Sequence, residues 1–194
     1  IDHFRGFEAC WRIPVDADTA INGRWVPAPG EALFQALQDE FGTLPVVAED
    51  LGLITPAVRR LRERFGFPGM RVLQFAFDGG ADNPYLPHNH EVNSVVYTGT
   101  HDNDTTLAWF ESLPAGQQRV VLDYLGHPRQ PMPWPLLRAA LASVAQLVIL
   151  PMQDVLQLGS GHRMNIPGSH SGNWQWRLEW ADVPPGLADR LRHL

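Results

Sequence analysis

Cysteine is almost missing from this chain: Cys10 is the only one in 194 residues. One thiol forms no intrachain disulfide, so nothing indicates an oxidising compartment. No N-terminal stretch joins a basic start, an apolar run and a small-residue cleavage site. The longest apolar run, residues 147–152, is far too short to span a bilayer. These absences predict a cytoplasmic protein with no membrane partner. Positive charge is also thin. The formal charge is −6, and Arg59, Arg60, Arg62 and Arg64 are interrupted by Glu63, the pattern of a solvated helix face. No basic stripe is left for a nucleic-acid backbone. A G-x-G-x-x-G turn, a Gly-x-Ser-x-Gly elbow, a Gly-rich phosphate cradle and a Cys–His pairing are all missing. That removes dinucleotide binding, phosphoryl transfer and serine or cysteine hydrolysis, and no cofactor is expected.

What remains is an ordinary globular composition, 44% hydrophobic and 19% charged, in a chain long enough to bury a core. Pro29-Gly30 opens a helical pattern with Leu33, Phe34, Leu37 and Phe41 on one face and Gly42 at its end. Residues 44–48 read as a short buried strand. Thr55 then caps a helix with Pro56 in its first turn and Val58, Leu61 and Phe65 along one side. Residues 70–77 and 94–98 read as two further strands, with a turn-rich stretch between them. Helices are expected over 105–112, 117–125 and 136–145, with a proline-rich loop at 128–135. A fourth strand is expected over 147–152, and a short helix in the tail from Val183. This alternation predicts an α/β fold with parallel strands and right-handed crossovers. About four such strands with helices make half of a TIM (β/α)8 barrel.

Three acidic segments carry the chemistry: Ile1-Asp2-His3-Phe4-Arg5-Gly6, Ala48-Glu49-Asp50-Leu51-Gly52 and Thr100-His101-Asp102-Asn103-Asp104. The second and third follow strand-like runs, where parallel barrels place their active sites. Retaining cleavage of a glycosidic bond needs two carboxyl groups about 5–5.5 Å apart, one as nucleophile and one as acid/base. A third carboxylate helps to offset charge that develops on the sugar ring. Glu49, beside an apolar strand, is expected to hold its proton more tightly than usual, as an acid requires. His3 and Arg5 beside Asp2 are expected to keep it ionised, as a nucleophile requires. The His101 imidazole is placed to hydrogen-bond a sugar hydroxyl.

These segments, together with residues 66–77, 85–89 and 163–177, resemble amylomaltase-type 4-alpha-glucanotransferases of the alpha-amylase superfamily. The resemblance covers residues 1 to about 180 and implies Asp2 as nucleophile, Glu49 as acid/base and Asp102 as transition-state stabiliser. It also implies sugar contacts for His3, Asp50, His101 and Asn165. The substrates implied are maltooligosaccharides or other alpha-1,4-glucans. Members of the family usually carry Tyr where Cys10 stands and Lys-Gly where Pro27-Ala28 stand. They also carry an Arg two residues before the nucleophile, so residues 1–194 are expected to be a single partial domain. That domain is the C-terminal half of the catalytic barrel, without the N-terminal half and the inserted subdomains. A competing expectation is an inactive truncated fragment with weak glucan binding that self-associates through unpaired sheet edges.

Seven tryptophans are present. Trp11 and Trp25, in loops after the first acidic segment, are candidate sugar platforms, because axial C–H groups pack well on an aromatic face. Trp174, Trp176 and Trp180 are expected in the core. His88-Asn89-His90 has the H-x-H spacing of metal-dependent hydrolases, with Asp102 to complete a site. It lies in a loop rather than on a strand, so no metal is expected.

Overall fold

A computed structural model describes residues 1–194. The chain divides into two compact units, Ile1–Met70 and Arg71–Leu194.

The first unit holds an antiparallel hairpin, β1 (Ala9–Arg12) and β2 (Arg24–Pro27), and two helices, α1 (Gly30–Phe41) and α2 (Pro56–Arg64). Both helices follow their sequence signals. Glu31 lies in the first turn of α1, and Gly42 stops that helix at φ 72°, a conformation costly for any residue with a Cβ. Thr55 Oγ1 accepts from Val58 N at 3.4 Å to cap α2, with Pro56 in the first turn. Phe34 of α1 and Val58 and Leu61 of α2 meet Phe4, Phe65 and Phe67 in one apolar cluster. Phe4 stacks on Phe34 at 5.6 Å, and Phe67 meets Phe34 edge-on at 5.1 Å. Each buried phenyl contributes about 1.5–3 kcal/mol relative to an exposed one.

Residues 44–48, expected as a strand, form no ladder. Pro45 has no N–H to give, and Val46 N bonds back to Leu44 O. The segment is held instead by single bonds to distant chain: Ile1 N to Val47 O at 2.7 Å, Ala48 N to Pro68 O and Glu49 N to Ile1 O at 2.9 Å.

A three-stranded sheet is ordered β3 (Gly69–Val72), β4 (Ser94–Tyr97), β5 (Leu147–Ile149), and the second unit begins within β3, at Arg71. β4 and β5 run parallel, Val95 opposite Leu147 and Tyr97 opposite Ile149. β3 is shorter than expected and turns at Leu73–Phe75 into one 3-10 turn, where Gln74 N reaches Thr98 O. α3 (Thr106–Ser112) is capped by Thr105, whose hydroxyl accepts from Ala108 N. α4 (Ala115–Tyr124) begins behind Pro114, two residues ahead of the expected start. α5 (Trp134–Leu141) starts inside the proline-rich stretch, because Pro135 falls where a helix needs no N–H from it. β5 stops short at Ile149, and a one-turn helix, α6 (Met152–Val155), stands where the strand was expected to end. α7 (Leu187–Arg192) is the tail helix. Leu73, Val96, Val121, Leu136 and Ala140 form the main core, and Trp134, Leu137, Val155 and Leu187 a second. No helix is long and apolar enough to cross a membrane.

Candidate active site

In the first unit the Asp2 segment and the Glu49 segment share backbone bonds. Phe4 N donates to Glu49 O at 3.0 Å, and the Glu49 side chain turns back onto the same chain. Its Oε2 accepts from His3 N at 2.7 Å and its Oε1 from Leu51 N at 2.7 Å. His3 offers that N–H from the left-handed region, φ 47° and ψ 53°, which a non-glycine residue occupies at some cost. Both Glu49 oxygens therefore accept main-chain N–H bonds, and each oxygen has a second lone pair on which a proton can sit. Asp2 and the His3 side chain are exposed.

Two neighbours are placed otherwise than the sequence suggested. Arg5 does not accompany Asp2: its Nη1 donates to Leu53 O at 2.8 Å and its guanidinium lies 3.9 Å from the Trp25 ring centre. Asp50, expected at a sugar, is buried at 8% exposure. Its Oδ2 meets Arg62 Nη1 at 2.9 Å and its Oδ1 accepts from Met70 N at 2.8 Å. These bonds brace the loop that carries Glu49.

Trp11 and Trp25 are not in loops. They face each other across β1 and β2, ring centres 5.3 Å apart, 40% and 48% exposed. Trp11 Nε1 donates to Ala20 O at 2.8 Å, which ties the ring to the hairpin loop. Cys10 is exposed on β1 opposite Val26, and Pro27, at the end of β2, pairs with Ala9. Both departures from the family pattern thus lie on this hairpin.

In the second unit Asp102 lies in the loop between β4 and α3, next to a segment some sixty residues further on. Asn165 Nδ2 donates to Asp102 Oδ1 at 2.6 Å, and His101 Nε2 lies 3.4 Å from the same oxygen. Asn165 N also donates to His101 O at 3.0 Å. Thus His101, Asp102 and Asn165, named separately from sequence, come together. Arg163 was not foreseen. Its Nη2 donates to Asp102 O at 2.6 Å and its Nε to Asn165 O at 2.9 Å, which ties the two loops. Trp174, expected in the core, is 52% exposed with its ring 4.9 Å from His101, and Trp180 is also exposed. Trp176 is half-buried. An aromatic after Gly172-Asn173, in a polar stretch without strand alternation, is the signal that could have marked Trp174 as a surface group.

His88 and His90 serve the turn that carries them. His88 engages Tyr124 Oη and Ala81 O at 2.9 Å each, and His90 Nε2 engages Tyr85 O at 2.9 Å. Burial pushes the His90 imidazole below its usual pKa. No three His, Cys, Asp or Glu side chains in the structure group to hold a metal ion.

A family model described as 4-alpha-glucanotransferase matches residues 1–182. Curated relatives include the 4-alpha-glucanotransferase of Thermus thermophilus, 54% identical over 99% of this chain and 40% of that protein. That of Synechocystis is 56% identical over 98% of this chain and 38% of that protein. The chain thus spans about two-fifths of its curated relatives' length. Among solved structures, an amylomaltase from Streptococcus agalactiae in complex with acarbose superposes with a TM-score of 0.94 at 39% identity. The match covers 99% of this chain and 39% of that one. An amylomaltase from Corynebacterium glutamicum, 17% identical with a TM-score of 0.61, shares the fold.

Proposed function

This chain belongs to the 4-alpha-glucanotransferase family, and on that premise we propose that the protein carrying it transfers alpha-1,4-glucan segments between maltooligosaccharides. Asp2 attacks the anomeric carbon while Glu49, protonated, gives its proton to the leaving 4-oxygen, leaving a glucosyl ester on Asp2. Glu49 then takes the proton of an acceptor 4-hydroxyl, which displaces Asp2 and restores both carboxyl groups. A bound, oriented acceptor outcompetes water. Asp102 offsets charge on the ring, with His101 and Asn165 beside it. His3, Trp11, Trp25 and Trp174 contact sugars, and Asp50 acts through the loop it holds. The family's barrel accounts for the parallel strands, with residues 1–194 as the C-terminal half in one partial domain. In isolation the edge strands β3 and β5 are the pairing sites for self-association. No cofactor or metal takes part, and the lone exposed thiol suits a reducing, cytoplasmic setting.

The observation that carries this reading is the 2.7 Å bond from His3 N to Glu49. It supports a shared site because it seats the proposed acid/base on the residue next to the proposed nucleophile. The test is Asp2→Asn in the complete natural protein, where glucan transfer between maltooligosaccharides should fall about 10³-fold or more. Transfer close to wild type would overturn the assignment.

A further inference from the structure

α6 is one turn long, yet two adjacent side chains from it reach both loops that meet at Asp102. Asp154 is fully buried. Its Oδ2 accepts from the hydroxyls of Thr98 at 2.5 Å and Thr106 at 2.6 Å, and its Oδ1 accepts from Thr106 N at 2.7 Å. Thr98 directly follows β4 and Thr106 opens α3, so one carboxylate ties together both ends of the loop that carries His101 and Asp102. Gln153, also buried, donates from Nε2 to His162 O at 3.2 Å. The next residue is Arg163, which bonds Asp102 O and Asn165 O. We propose that Gln153 and Asp154 are positioning residues that set the register in which Asp102 and Asn165 meet. The proposal rests on the reading of Asp102 as part of the substrate site.

A fully buried carboxylate is a costly way to fasten a loop, and burial pushes the Asp154 pKa up against the three donors that lower it. A well-packed apolar residue would cost less. What the carboxylate supplies is direction: three donors from two chain segments must aim at one group, and a satisfied buried polar network admits few alternative arrangements. The second loop has no such anchor of its own. Its 3.2 Å bond to Gln153 refers it to the same turn of helix.

The test uses the complete natural protein, transfer kinetics with a maltooligosaccharide, and amide hydrogen exchange without substrate. Asp154→Ala should lower kcat about ten- to a hundredfold with little change in KM, as misplacement of a reacting constellation does. Asp154→Asn keeps an acceptor for Thr106 N and should restore kcat to within about fivefold of wild type. Gln153→Ala and Gln153→Glu, neither able to donate to His162 O, should each lose about three- to tenfold in kcat. Val121→Ala, a core truncation in α4, serves as the control for general destabilisation and should keep wild-type kcat. Exchange at the Asn103 and Asn165 amides should quicken about tenfold in Asp154→Ala and Gln153→Ala, and not in Val121→Ala. Unchanged exchange at both amides in Gln153→Ala, or an equal kcat loss in Val121→Ala, would overturn the proposal. If Asp154→Ala does not fold, the Asn variant and both Gln153 variants decide it. If the wild type shows no transfer at all, the functional reading fails while the exchange experiment still decides the positioning.

Discussion

Glu49 and Asp102 are held in opposite ways. Both Glu49 oxygens are gripped by main-chain amides, those of His3 and Leu51. Asp102 is gripped by side chains: Asn165 on its carboxylate, His101 beside it and Arg163 on its carbonyl. A main-chain donor survives substitution of the residue that carries it, so the setting of Glu49 depends on the path of the chain. That path relies on the left-handed turn at His3 and on the buried ion pair beneath the next residue. A side-chain donor disappears with a single substitution. Geometry guards the first carboxylate and residue identity guards the second.

The largest effect should come from attacking the path. Arg62→Leu removes the guanidinium that lies 2.9 Å from the buried Asp50 carboxylate. Unfolding by urea should show a loss of about 3–5 kcal/mol, as for one-sided removal of a buried ion pair. A loss below about 1 kcal/mol would mean that the chain path at Glu49 does not depend on this pair. Next in size is Asn165→Ala, which removes the 2.6 Å donor to a half-exposed carboxylate. The kcat for transfer should drop about tenfold, the range for a hydrogen bond to a charged group. Trp174→Ala should raise KM several-fold, corresponding to about 0.5–1.5 kcal/mol of lost stacking, with Trp174→Phe recovering most of it. An unchanged KM would show that the exposed ring beside His101 meets no sugar.

The smallest effect is a pH dependence that separates scaffold from site. Burial, with lesser contributions from Arg71 and His88, holds the folded-state His90 pKa below its ordinary 6.5. The unfolded chain therefore binds this proton first as pH falls. The stability gained by keeping His90 neutral is complete above about pH 6.5 and is lost as pH drops toward the folded-state value. Urea midpoints of wild type and His90→Gln, compared between about pH 7.5 and 5, should show the wild type losing ground at the acid end. A constant gap would contradict the burial argument.

Local chemistry made much of the fold legible. Thr55-Pro56, the apolar face through Val58 and Leu61, and the stop at Gly42 act within a few residues, and the helices appear where these signals stand. The failures share a cause. Residues 44–48 look like a strand until Pro45 is asked for an N–H, and their bonds go to Ile1 and Pro68, which no local pattern announces. The Trp11–Trp25 hairpin went unseen because the loop joining its strands is long and carries no tight two-residue turn. α6 spans four residues, too few to show a helical period, so Met152 passed for the end of a strand and Gln153 and Asp154 drew no reading at all. Of the residues proposed for catalysis, Asp2, Glu49 and Asp102 were legible as acidic segments. Arg163 was not, because nothing around it in the chain points sixty residues back.

By itself the sequence determined the family, the residue types at the proposed site, and the helices whose caps and periods are written within a turn of their ends. Only the tertiary structure decided what those residues do for one another. It turned Asp50 inward to Arg62, drew Arg5 to Trp25, brought Asn165 to Asp102 and assigned two loops to one turn of α6. The physical reason is reach. Propensity and capping act across a handful of bonds. A hydrogen bond needs two groups within about 3 Å, and for residues far apart in sequence that distance is set by the packing of everything between them.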